Sequence, residues 1–99
     1  MARTAMKKDG NHHEIVKEFE RRSWTVEDMT AKINFCDIHV SYRHLYFAWV
    51  EIKDGSKCPS ARKLSKGERF FKNKCKANGT PWYLCESIED VNRIIEDLT

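Results

Sequence analysis

Ninety-nine residues allow one small domain with an economical core. A hydrophobic content of 40% argues against a disordered chain, and no apolar run approaches the ~20 residues of a membrane span. The net charge of +3 hides an asymmetry: from Lys53 to Lys76, nine Lys or Arg face only Asp54 and Glu68, a net +7, so the remainder sums to −4.

Residues 1–10 read as a flexible basic tail without the apolar stretch of a secretory signal, and a cytoplasmic location is expected. Residues 11–99 read as one domain. Asn11 is placed to cap a helix running to about Arg22, with Glu14 in its first turn and Ile15, Val16 and Phe19 as its apolar stripe. Glu14 and Glu18 lie four apart on one flank of that stripe. His12 and His13 are expected to be exposed at the helix start, with a catalytic role as the alternative.

Trp24-Thr25-Val26 predicts a short strand, and Glu27-Asp28-Met29-Thr30 a turn or loop. In the next strand Phe35, Asp37 and His39 point one way, and Cys36, Ile38 and Val40 the other. Ser41-Tyr42-Arg43-His44 then connects to the apolar run Leu45–Ile52, giving an antiparallel hairpin. Along that run Phe47, Trp49, Glu51 and Lys53 share one face, and Asp54-Gly55 ends it. Gly55 to Lys63 is a polar loop.

Ser65-x-x-Glu68 is a capping box opening a helix to about Ala77, with Phe70, Phe71 and Cys75 expected on its buried side and Asn78-Gly79 as its stop. Pro81–Cys85 is a strand, parallel to the Glu51 strand through a crossover. Ser87 caps a last helix with the stripe Ile88, Val91, Ile94, Ile95 and Leu98. Trp24, Trp49 and Trp82 fall in strands and are expected to pack the core; stacking on a displaced base is the other reading for one of them.

The four cysteines form no Cys-x-x-Cys pair, and nothing points to an oxidising compartment. Cys36 and Cys85 fall in apolar runs and read as small core residues. Cys36-x-x-His39 with His12 or His13 lacks the paired local knuckles usual in structural zinc sites.

A Glu-x-Lys on a strand is ordinarily a surface ion pair of little consequence. Here Glu51 and Lys53 follow a strand too apolar for an exposed edge, and Asp37 precedes them across a hairpin. This order resembles the PD-(D/E)XK nuclease motif. The stretch from Asn11 to the C-terminus is similar to small stand-alone VRR-NUC nucleases of phages and bacteria. The likeness is carried by Asn11-His12-His13-Glu14-Ile15-Val16, Cys36-Asp37-Ile38, Trp49–Gly55, Lys63–Glu68 and Ser87–Val91. Cys36 stands where the family usually has Pro.

The resemblance implies a restriction-endonuclease-like fold, an α/β three-layer sandwich around a central mixed sheet. It implies a magnesium-dependent endonuclease, with manganese able to substitute. Asp37, Glu51 and the Ile52 carbonyl would hold the metal, Lys53 would orient water and stabilise developing charge, and Glu14, or else Glu18, would complete the site, with Glu68 assisting. The implied partner is branched DNA in a bacterial host or phage-infected cell, and the implied assembly a homodimer acting as a Holliday junction resolvase. A general or flap-type nuclease, or a DNA-binding module without catalysis, are the alternatives. The basic segment suits a polyanion, with Lys57, Arg62, Lys63, Lys66 and Arg69 as the candidate DNA contacts.

Overall fold

Alternation in the strands and 3.6-residue spacing in the helices produce two apolar surfaces that can only be buried against each other. A computed structural model of the chain describes residues 8–30, 36–43 and 46–99. The tail up to residue 7, together with Ile33, Phe35, His44 and Leu45, lies outside the described residues. The elements are α1 (His12–Arg21), β1 (Thr25–Asp28), β2 (Ile38–Tyr42), β3 (Tyr46–Ile52), a 3-10 turn (Pro59–Arg62), α2 (Lys66–Ala77), β4 (Trp82–Cys85) and α3 (Ile88–Leu98). They form an α/β domain with one four-stranded mixed sheet in the order β1-β2-β3-β4.

The β1–β2 and β2–β3 pairs are antiparallel, with His39 across from Trp49 and Ile38 across from Val50. The β3–β4 pair is parallel, with Trp49 beside Trp82 and Glu51 beside Leu84. The parallel pair follows from α2, which carries the chain back before β4 begins. The Glu27-Asp28 pair, expected in a turn, belongs to β1. Its backbone is drawn into the ladder by pairing with His39 and Ile38, which overrides the weak strand preference of acids.

One sheet face makes the core. Ile38, Val40, Ala48, Val50 and Ile52 are fully buried there against Ile15 and Phe19 of α1 and Val91, Ile94 and Ile95 of α3. Cys36 and Cys85 are buried as small core residues, as expected. Trp24 lies in the core too, stacked on Tyr42 at 5.4 Å and edge-on to Phe19 at 6.1 Å. The opposite face meets α2, whose Phe71 packs edge-on against Trp49 at 5.9 Å while Lys72 lies 5.2 Å from the Trp82 ring centroid.

The inward side of α2 is therefore Glu68, Phe71, Lys72 and Cys75, the i, i+3, i+4, i+7 series. Phe70 does not belong to that series and is 71% exposed, correcting its expected burial. The capping box is present, with Ser65 accepting from the Glu68 N–H and the Glu68 carboxylate accepting from the Ser65 N–H. At the far end Asn78 caps the helix and Gly79 takes φ 69°, which its missing Cβ permits.

Gly55 is required by close approach. A Cβ there would lie 2.6 Å from the Glu86 carbonyl oxygen, to which the Gly55 N–H donates at 3.1 Å. This contact joins the ends of β3 and β4.

Two substitutions separate core from surface on these grounds. Phe19→Ala, which empties a fully buried position, is expected to cost about 3–5 kcal/mol. Phe70→Ala is expected to stay within about 0.5 kcal/mol of wild type. Urea denaturation of both variants checks the contrast.

Candidate active site

The face of β3 that points toward α2 ends in charge. Glu51 and Lys53 lie there, two residues apart, as the alternation requires. The β2–β3 ladder ends at Ile38–Val50, one residue short of Asp37. The Asp37 N–H still donates to the Val50 carbonyl at 3.2 Å, which keeps Asp37 against β3. The Asp37 carboxylate in turn accepts from the Ile52 N–H at 2.7 Å, which aims its side chain across the strand.

Glu51 is only 3% exposed. Its carboxyl is within hydrogen-bonding reach of Asp37 and of Glu68, so three acids converge from β2, β3 and α2. Burial, then Asp37, then Glu68 push the Glu51 carboxyl far above the usual carboxylate range. One cation enters the group. The Lys53 ammonium donates to Glu68 at 3.0 Å and stands 3.8 Å from Glu51. Burial works against its charge, but the hydrogen bond and charge of Glu68, with Glu51 and Asp9, outweigh it and raise the Lys53 pKa.

Glu68 thus does two jobs with one carboxylate. The oxygen that accepts from the Ser65 N–H at 2.7 Å also accepts from Lys53. Burial raises the Glu68 pKa, yet the Ser65 N–H and Lys53 more than compensate, and the net shift is downward. The helix cap, legible in the sequence, fixes a site residue in place.

The start of α1 closes the other side. Asn11 occupies the cap position but makes no side-chain cap hydrogen bond. Its Nδ2 donates instead to the carbonyls of Lys53, at 3.1 Å, and Glu86, at 3.2 Å. Asn11 therefore ties the helix to the ends of β3 and β4. His12, expected to be exposed, is buried, and neither ring nitrogen has a hydrogen-bond partner among the described residues. Burial lowers its pKa against the opposing pull of Asp37 and Asp28. Asp28 stands 3.9 Å from the His12 Nε2 and is held by Lys8 at 2.6 Å.

Of the two α1 acids considered, the structure brings neither to Glu51. Glu14 is exposed and lines a cleft of about 650 Å³ with Asp54, Gly55, Arg62 and Glu86. Among the described residues it makes no hydrogen bond or ion pair to Asp37, Glu51 or Lys53. Glu18 is engaged by Arg21 at 2.6 Å. The acid nearest in effect is Asp9: burial raises its pKa, the Lys53 ammonium opposes this and Asp37 adds to it. By sequence Asp9 falls in the basic tail. Its one local signal was an acid two positions before the capping Asn11, and nothing local says that the start of the helix, rather than its body, meets β3.

The basic residues divide. Lys57, Lys63, Lys66 and Arg69 are exposed. Arg62 is not free in the same sense: it donates to Glu86 at 2.9 Å and to the Lys57 carbonyl at 2.8 Å, stapling the loop to the end of β4. No helix among the described residues is long and apolar enough to cross a membrane.

Metal-binding capacity is limited in kind. Among the described residues no three His, Cys, Asp or Glu side chains are grouped to hold an ion by themselves. What the site offers is the facing pair Asp37 and Glu51 with the Ile52 carbonyl at the same strand end. Two carboxylates suit a hard ion that keeps its waters, such as magnesium, better than zinc. In comparison with known proteins, no family model, curated protein or solved structure matches the chain.

The raised Glu51 pKa has a signed consequence. Between the ordinary value of 4.5 and its elevated folded value, the folded state holds a proton that the unfolded state has released. Stability without divalent ions should therefore fall as pH rises above about 4.5. Glu51→Gln removes the titrating group, and at pH 8 in chelator should melt about 5 °C or more above wild type. Thermal melts from pH 5 to pH 9 test it; parallel pH profiles for the two proteins would end the assignment.

Proposed function

We propose that the chain is a magnesium-dependent DNA endonuclease of the PD-(D/E)XK kind, resembling the VRR-NUC nucleases and sharing their restriction-endonuclease-like sandwich. The observation that carries this reading is the meeting of Asp37 and Glu51 across β2 and β3, with Lys53 two residues along the same face and Glu51 almost wholly buried. A buried carboxyl beside two others, its pKa strongly raised, is the kind of group that functional sites gather.

Asp37, Glu51 and the Ile52 carbonyl are the groups that would hold magnesium, which supplies charge neutralisation at the phosphate and a more acidic bound water. The residues of the chain do the rest. Asp37 is oriented by the Ile52 N–H. Glu68 holds Lys53 in its cationic form, so Lys53 serves as a donor toward a phosphate oxygen or attacking water rather than as a proton acceptor. Lys57, Lys63, Lys66 and Arg69 supply the phosphate contacts that position the strand.

A homodimer completes the reading, since two such sites related by a two-fold axis would cut a four-way junction in pairs. Little apolar surface is left to drive dimerisation: the α3 stripe is covered by the domain itself, and Phe47 and Phe70 are the large exposed hydrophobics among the described residues. The dimer is proposed on the geometry of the substrate.

Cleavage of linear, flap and four-way DNA with magnesium tests the activity. Asp37→Asn, Glu51→Gln and Lys53→Ala should each lower cleavage at least about 100-fold with the fold intact. Near-normal turnover by Glu51→Gln at saturating magnesium would remove the mechanism. Light scattering with a cruciform plasmid assay tests the assembly; a monomer that only nicks the plasmid would sink junction resolution and leave the nuclease reading standing.

Neutralising Lys63, Lys66 and Arg69 should weaken duplex binding for every sequence tried and reduce its log–log salt slope by about 0.9 per lost phosphate contact. Titrations at four salt concentrations measure the slope, and an unchanged value would return these residues to a solvated helix face.

A further inference from the structure

The face of β3 that carries Glu51 and Lys53 continues away from them as an aromatic surface. Trp49 and Phe47 follow at two-residue steps, and His39 comes from β2 across from Trp49. The His39 ring centroid is 4.4 Å from Trp49 and 5.9 Å from Phe47, so the three rings form one strip along the sheet. The Trp49 end of the strip is packed by Phe71 of α2, whereas Phe47 at the far end is 45% exposed. Phe47 thus stands at the open end of the strip, on the same face of β3 as the charged site.

Two features select its chemistry. The strip is continuous with the candidate active site: Phe47 to Glu51 is four strand residues, about 13 Å. The neighbouring flank of α2 is basic and aromatic. Phe71 turns to Trp49 and Lys72 to Trp82, so helical spacing places Phe70 and Lys74, both exposed, on the side of α2 toward β2. These lie within the segment of net +7. A polyanion whose units also carry flat rings matches both features. In a duplex the ring faces are hidden in the stack, whereas unpaired bases present them.

We propose that this strip receives unpaired nucleobases, with Phe47 as the stacking ring, so that single-stranded nucleic acid lies along β3 toward Glu51. The inference rests on the nucleic-acid reading of the site above, but not on cleavage. It narrows the substrate class to DNA with unpaired nucleotides next to the cut, as at flaps, junction centres or gaps.

The test is binding in EDTA, where cleavage does not contribute. Fluorescence anisotropy compares labelled oligothymidylate with a blunt duplex of equal length. Phe47→Ala should weaken oligothymidylate binding about tenfold and duplex binding less than twofold. Phe47→Leu, which keeps apolar bulk without a ring and so protects the fold, should show the same selective loss. Phe47→Trp should restore binding, with its added indole fluorescence quenched on mixing.

Wild-type affinity for oligothymidylate in Phe47→Leu would overturn the proposal, as would equal losses on both DNAs. A smaller sedimenting assembly with unchanged oligothymidylate affinity would overturn it too, by assigning the strip to a second copy of the chain. Wild-type protein that binds neither DNA would remove this inference together with the nucleic-acid reading. Protein that cuts duplexes with magnesium yet fails the selective test would lose this inference alone.

Discussion

Burial of the Glu51 carboxyl is the interaction to which the rest of the structure answers. The side chain sits on a strand whose neighbours to either side are core, and it is 3% exposed. An ionised carboxylate withdrawn from water costs several kcal/mol unless it is paired. Here its partners are mostly other acids, Asp37 and Glu68, with one ammonium from Lys53. The site therefore resolves its charge by retaining a proton or by admitting a cation, and both depend on the same geometry.

Three separate pieces of chain are recruited to hold that geometry. The hairpin brings Asp37 against β3: its N–H donates to the Val50 carbonyl and its carboxylate accepts from the Ile52 N–H. The capping box of α2 delivers Glu68 to Lys53 as part of starting the helix. Asn11 delivers the start of α1 to the Lys53 and Glu86 carbonyls, and Gly55 lets the chain pass close against Glu86. Together these contacts tie down the charged end of β3, while Phe47 at its aromatic end is half exposed.

Much of the fold was legible because it depends on period and punctuation. The order of helices and strands, the hairpin, the parallel return to β4, the α3 stripe and both Ser caps follow from alternation, 3.6-residue spacing and turn residues. That Asp37 and Glu51 come together was legible from the same hairpin, which sets the ends of its two strands side by side. The misreadings cluster where a residue's role depends on what packs above it. Phe70 looked like core by composition, yet the series facing the sheet runs through Glu68, Phe71, Lys72 and Cys75. The pairing of Arg62 with Glu86 at 2.9 Å, 24 residues away, is likewise set by the fold and not by local pattern.

The N-terminal segment marks the boundary most clearly. The sequence alone determined that a helix begins after Asn11 and which of its residues are apolar, because those are properties of consecutive residues. It did not determine where that helix is set down on the sheet. Only the tertiary structure decided that the first turn, rather than the body, meets the end of β3. That placement buries His12, spends the Asn11 amide on two distant carbonyls and sets Asp9 rather than Glu14 within the field of Lys53 and Asp37. The physical reason is that a hydrogen bond spanning 42 or 75 residues is specified by the packing of whole elements, and no local pattern carries that information.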